Sequence, residues 1–446
     1  MITAKKAMSK FVILISSILI LVFGNFQVRG DVAYTSPSYE KQLPIEIKNG
    51  TFYRGGRPIF FSGFTKEVTI VEPSRQGGDW EGSSHRIYSG KIDRELMDEF
   101  GFNTYQMWGT FGWHFLNKFF PGYIDAETRK FYEERLQAQK LISKEIVQCA
   151  SIQDFMLNAW VFNKGYNKIK HLIPLDAFQT NSEWDDFFKF DPSNPVGREY
   201  YRADYKEYTR FILENGSNPF IYEILNEPFY HSFSKENLSN FKSWVKSRYT
   251  NIENANKQWG SHFKNIEESV TLIEAQKAIT DSIEPGLWVE WMDFMSDILS
   301  QHLKGFKNDI LSVDKRPVSK YFTVQPSGIP NIHHKYSAFD YTKLMEWFDV
   351  MTIEYGGLSY GGTQSKEEDD PYALGLNISR VESILNMDLA RAIAHGKPVC
   401  DNEMACRRLE SMVRVPSNNY DLGTSLWEQV IHGISSSLIY TWGSRS

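Results

Sequence analysis

The stretch FIYEILNEPFY, Phe220 to Tyr230, is apolar through Leu225 and then sets an amide and a carboxylate side by side at Asn226 and Glu227. Pro228 has no N–H to give a ladder, so the strand must end about where the acid stands. A second acid closes an apolar run in GKPVCDNEMA (Gly396 to Ala405), where Glu403 follows Asn402, and a third, Glu354, closes VMTIEYGG. Two carboxylates facing one pocket suit the cleavage of a glycosidic bond. One protonates the leaving oxygen while the other attacks the sugar carbon or activates water.

Such acids need elements that aim them. Short apolar runs read as strands at Ile59–Ser62, Thr104–Met107, Phe155–Ala159, Ile221–Leu225, Tyr321–Val324, Val350–Ile353, Val399–Asp401 and Ser437–Thr441. Amphipathic segments lie between them at Asp93–Phe100, Ala126–Cys149, Arg198–Glu214, Leu287–Leu311, Tyr341–Trp347, Ser379–His395 and Ser425–His432. Strands alternating with helices predict parallel pairing, and eight strands predict an α/β fold, a (β/α)8 TIM barrel. Ahead of it, turns at Asn49-Gly50 and Gly55-Gly56 predict a small antiparallel hairpin. The connections Trp108–Asp125, Val161–Gly197 and Pro228–Pro285 read as long loops on the catalytic face. The sequence ends at Ser446, just past the eighth strand, so the expected barrel lacks its last helix. A doubly wound open sheet is disfavoured because no G-x-G-x-x-G follows a first strand.

Polar residues at strand ends converge on one pocket in such a barrel. They are Lys66 and Glu67, Gln106 and Trp108, Asn158 and Trp160, Asn226 and Glu227, Gln325, Glu354 and Tyr355, Asn402 and Glu403, and Trp442 and Arg445. Trp108, Trp160 and Trp442 serve equally well as core or as sugar platforms. Glu223, inside the fourth strand, reads as part of a lower barrel layer with a basic partner.

Composition narrows the classes. A net charge of −6 leaves no electrostatic footprint for nucleic acid or an anionic membrane surface. Lys5, Lys6 and Lys10 precede the apolar run Phe11–Phe26, which reads as a signal peptide, with an uncleaved membrane anchor as the alternative. The expected organisation is 1–30 signal or anchor, 31–57 hairpin segment and 58–446 barrel, in a secreted or periplasmic protein. Three cysteines are too few for a disulfide framework, and no Cys/His spacing or H-E-x-x-H suggests a metal. Asn-x-Ser/Thr sequons begin at Asn49, Asn215, Asn237 and Asn377.

Leu225-Asn226-Glu227-Pro228 resembles the Asn-Glu-Pro signature of clan A glycoside hydrolases. The approach to Glu403 resembles that clan's seventh strand. HGISSSLIYTWGSRS at the end and Phe241–Phe263 resemble family 42 β-galactosidases, although Pro228 is unusual there and family 5-like or agarase-like members also fit. The resemblance covers most of Phe60–Ser446. It implies a retaining O-glycosyl hydrolase with Glu227 as acid/base, Glu403 as nucleophile and Asn226 on the sugar 2-hydroxyl, the two carboxyl groups ~5–5.5 Å apart. Glu354 competes for the nucleophile role. Trp108, Asn158, Tyr355, Glu354 and Trp442 are the expected substrate contacts. The implied partner is an oligo- or polysaccharide, and no cofactor is implied. The rival class is a non-catalytic carbohydrate-binding barrel at the cell surface.

Overall fold

A computed structural model describes residues 45–66, 97, 99, 101–107, 147–152, 191–214, 218–224, 232–275, 284–322, 340–353, 376–404, 407–410, 413–416 and 419–440. The chain divides into two compact units, Met1–Gln42 and Leu43–Ser446. The first, with the Phe11–Phe26 run, lies outside the described residues.

Strands β1 (Ile45–Lys48) and β2 (Thr51–Arg54) form the expected hairpin, and β3 (Arg57–Ile59) adds a third antiparallel strand, so Ile59, read as the start of the first barrel strand, belongs to this small sheet instead. Its first turn needs positive φ at two successive residues, and Asn49 (49°) and Gly50 (73°) supply it.

The barrel strands follow: β4 (Phe61–Lys66), β5 (Thr104–Met107), β6 (Val147–Ile152), β7 (Asn218–Ile224), β8 (Val318–Phe322), β9 (Val350–Ile353) and β10 (Val399–Met404). A two-stranded hairpin, β11 (Arg407–Glu410) and β12 (Val413–Pro416), precedes the eighth barrel strand, β13 (Ser436–Tyr440). Parallel pairing runs β10-β13-β4-β5-β6-β7-β8-β9 and closes between β9 and β10.

Among the described helices are α1 (Pro195–Glu214), α2 (Lys235–Tyr249), α3 (Ile252–Trp259), α4 (Ile266–Ala275), α5 (Pro285–Leu311), α6 (Tyr341–Trp347), α7 (Leu376–Ala394) and α8 (Asn419–Ile431). The long α5 buries Trp291, Phe294, Leu299, Leu303, Phe306 and Ile310. Its Phe306 ring meets Tyr201 and Tyr205 of α1 at 5.1 and 4.8 Å. No helix among the described residues is long and apolar enough to cross a membrane.

Two further expectations need correction. The third barrel strand is Val147–Ile152, not Phe155–Ala159, and it begins inside the expected helix Ala126–Cys149. No Gly or Pro occurs between Ala126 and Lys164 to punctuate helix and strand, so the amphipathic pattern runs on into the strand. Residues 153–159 lie outside the described ones. Pro228–Pro285 is also no plain loop, because it contains α2, α3 and α4. Ser234 and Asn251 cap the first two of these, accepting from the N–H groups of Asn237 and Asn254, and Gly260 ends α3 in a left-handed turn. The sequon residue Asn237 is fully buried at the start of α2, so the folded chain closes it to glycosylation.

Candidate active site

The barrel interior is layered by side-chain alternation. On β7, Tyr222 and Ile224 belong to the cluster formed with the helices, while Ile221 belongs to an inner one. The inner cluster comprises Phe61, Phe220, Ile221, Val350, Cys400 and Leu438, joined by Phe52 of β2. Phe52 stands edge-on to Phe61 and Phe220, each at 5.4 Å, while those two stack at 4.1 Å. The Ser435 hydroxyl also donates to the Gly50 carbonyl at 2.9 Å. The N-terminal sheet therefore packs against the strands' amino ends.

Two residues further along, the interior turns polar. Ile221 gives way to Glu223, Val350 to Thr352, and Cys400 to Asn402, all fully buried. Gln106 Nε2 donates to Glu223 Oε1 at 2.7 Å, and Asn402 Nδ2 donates to Glu223 Oε2. The Thr65 hydroxyl lies 3.0 Å from Gln106 Oε1 and 2.8 Å from the Asn402 carbonyl, so two acceptors share its proton. Burial pushes the Glu223 carboxyl above the usual carboxylate range. Hydrogen bonds from Asn402, Thr352 and Gln106, and then the charge of buried Lys320, oppose that shift. The expected basic neighbour of Glu223 is Lys320, but amides make its closest bonds, and the acid sits in the layer above the apolar floor, not in the lowest one. Thr65 and Thr352 were not singled out by sequence; their one signal is a hydroxyl on the inward side of a barrel strand.

Strand β10 is held on both faces. Asp401 accepts from Gln429 Nε2 of α8 at 2.6 Å, while its neighbour Asn402 reaches Glu223 inside the barrel. Between Asp401 and Met404 the register against β13 slips, so the bulge spans Asn402 and Glu403. Bulges of this kind re-aim a side chain beside active sites.

After β7 the described chain resumes at Ser232. This residue is buried and donates to the Asp191 carboxylate, which also accepts from the Ser193 N–H at 2.8 Å. Burial raises the Asp191 carboxyl, against the bonds from Ser232 and Ser193. Between β7 and Ser232 lie Asn226 and Glu227, outside the described residues. So do Trp108, Asn158, Glu354, Tyr355 and Trp442, and of Glu403 only the backbone is described. In sequence Trp108 directly follows β5, Glu354 follows β9, and Glu403 is within β10. The barrel order sets β7 three strands from β10 and sets β9 beside β10. Among the described residues, no group of three or more His, Cys, Asp or Glu forms a metal site.

Eight parallel strands, closed, with a polar layer above an apolar one, define a (β/α)8 barrel of the kind that carries chemistry at its strand carboxyl ends. The profile of the family described as Glyco_hydro_42, Beta-galactosidase, matches residues 171–446, more than half the chain. The chain belongs to that family. Curated protein sequences give no match. Among solved structures, β-galactosidase from the psychrophilic Marinomonas ef1 is similar at a TM-score of 0.59 and 15% identity, over 86% of this chain and 54% of that one. β-Galactosidase from Bacillus circulans sp. alkalophilus gives 0.56 and 14%, over 86% and 50%. The exo-carrageenase GH42 from Bacteroides ovatus gives 0.56 and 13%, over 90% and 49%. At such identities the likeness is one of fold, and the chain spans about half the length of these proteins.

Proposed function

We propose that the protein is a retaining glycoside hydrolase acting on β-linked sugars, β-galactosides first among them. The observation that carries this reading is the family match over residues 171–446, a span that contains both Glu227 and Glu403. Strand β10 adds support, because its bulge falls at the residue in question. Glu227 protonates the leaving oxygen, Glu403 attacks the anomeric carbon, and a water deprotonated by Glu227 releases the sugar with overall retention. Asn226 bonds the 2-hydroxyl, most strongly in the transition state. Trp108, Asn158, Glu354, Tyr355 and Trp442 line the sugar path. The Lys-flanked run Phe11–Phe26 sends the protein out of the cytoplasm, and N-terminal sequencing of the native protein should find a start near Asp31.

A nitrophenyl glycoside panel together with β-galactan polysaccharides tests the activity, and anion rescue tests the roles. Glu403→Gly should abolish turnover, and azide should restore it with a product of inverted configuration. Glu227→Ala should lose ~10²–10⁴-fold on poor leaving groups and far less on activated aryl glycosides, with azide giving a retained product. An inverted azide product from Glu354 variants, with Glu403 variants active, would move the nucleophile to Glu354. A wild-type chain that binds sugars yet turns over none of the panel would favour a binding barrel instead.

A further inference from the structure

The polar layer forms a closed circuit. Thr65 of β4 contacts Gln106 of β5, Gln106 donates to Glu223 of β7, the Asn402 side chain of β10 donates to Glu223, and the Asn402 carbonyl returns to Thr65. Four strands that are not all neighbours are thus tied through the barrel axis. Asn402 is gripped twice, by side chain and by backbone, one residue before Glu403 and inside the bulge. A bulge trades ladder bonds for a re-aimed residue, so its geometry needs other bonds to fix it.

We propose that Glu223 is a positioning residue: through the Asn402 amide it fixes the β10 bulge and so the direction in which Glu403 leaves the strand. The claim rests on the reading of Glu403 as nucleophile, but the geometry of β10 can be measured without it. Glu223 is fully buried within the polar layer. Its two oxygens accept from two amides on strands on either side of it in the barrel, and the inward alternation of β7 puts it level with Asn402. A displacement of about 1 Å at a reacting group can cost ~10²-fold in rate, so a hub of this kind matters to turnover more than to binding.

The test is a swap of polarity. Asn402→Asp removes the amide that donates to Glu223 Oε2 and puts an acceptor in its place, and it should lower kcat ~10–100-fold with KM nearly unchanged. Adding Glu223→Gln rebuilds the pair with its donor reversed, since the introduced amide donates through its Nε2 to the new carboxylate while its Oε1 still accepts from Gln106. The Glu223→Gln/Asn402→Asp protein should regain ~tenfold or more of the lost kcat. A double variant no faster than Asn402→Asp, or losses that fall in KM rather than kcat, overturns the proposal. Hydrogen exchange of the peptide covering 399–404 supplies a readout free of activity. It should quicken in Asn402→Asp relative to 350–353 and slow again in the double variant. Unchanged exchange also overturns the proposal. If wild type hydrolyses no glycoside, the glycosidase reading fails while the exchange pattern still decides the role of Glu223. Should Asn402→Asp not fold, Thr65→Val removes the grip on the Asn402 carbonyl with little change of shape, and the same shifts in kcat and exchange are expected, smaller in size.

Discussion

The apolar floor of the barrel and the polar layer above it lie a single inward step apart on three strands, yet they are held together by different physics. Below, Phe52, Phe61, Phe220, Ile221, Val350, Cys400 and Leu438 pack by shape and exclusion of water. Such contacts are many, individually weak and tolerant of small shifts. Above, Thr65, Gln106, Glu223, Thr352 and Asn402 are joined by a few directional bonds, and each member left without its partner costs the whole penalty of a buried polar group. The lower layer should therefore set how stable the barrel is, and the upper one should set how accurately β10 presents Glu403.

The largest effect expected is in the floor. Phe220→Ala removes a ring stacked at 4.1 Å on Phe61 and edge-on to Phe52. It should cost ~3–5 kcal/mol in urea unfolding, with kcat of the folded protein unchanged at low temperature. A fall in kcat without loss of stability would break the division between the layers. Gln106→Leu comes next. It takes away the amide that Glu223 Oε1 accepts from, leaves Thr65 with one acceptor fewer, and should cost ~1–3 kcal/mol. Unlike the floor variant, it should also lower kcat. Loss of stability alone would reduce the polar layer to a second core.

One buried and one half-buried group should titrate with opposite sign. Burial holds the Glu223 carboxyl above its ordinary value of 4.5, so between 4.5 and the folded value the native state keeps a proton that the unfolded chain has lost. Stability from this group is full below about 4.5 and is lost as pH rises through the folded value. His302 on α5 is the reverse, lowered by burial and then by Arg198 from 6.5 to about 4. Its contribution is full above 6.5 and is lost as pH falls towards 4. Urea midpoints measured from pH 4 to 8 should show Glu223→Gln deleting the loss on the alkaline side, and His302→Gln deleting the loss on the acid side. Only the first should disturb turnover, because His302 lies outside the polar layer.

The two layers were unequally legible in the sequence. The barrel strands follow from short apolar runs between amphipathic segments, and β5 and β9 have the bounds that their sequences predict. β6 was misplaced because no turn residue marks its start, and an amphipathic helix and a half-buried strand then share one apolar pattern. The helices at 235–275 were hidden in a segment read by its length, although Ser234, Asn251 and Gly260 are the caps that announce them. Glu223 was legible as an acid within a strand, and Gln106 and Asn402 as amides near strand ends. That both amides meet on Glu223 was not, because it depends on which strands face one another across the barrel. That is set by closure and stagger, not by any local spacing.

The smallest effect expected lies between α7 and the residue that follows α8. His432 Nδ1 sits 2.9 Å from Asp388 Oδ1, with side chains 23% and 53% exposed. Water and salt screen a pair so placed, and ordering two side chains costs about what the attraction returns. Asp388→Ala should therefore cost less than ~1 kcal/mol, and less still in added salt. The carboxylate lost here is the same chemical group as that of Glu223, and what differs is the surroundings. In solvent, water replaces the partner that is lost; within the buried layer, the amides of Gln106 and Asn402 must turn or go unpaired. Kinetics of Asp388→Ala indistinguishable from wild type, beside reduced kcat in Gln106→Leu, would assign the sensitivity to the interior layer. A comparable loss of kcat in both would mean that β10 responds to disturbance anywhere in the barrel wall, and Glu223 would lose its special place in aiming Glu403.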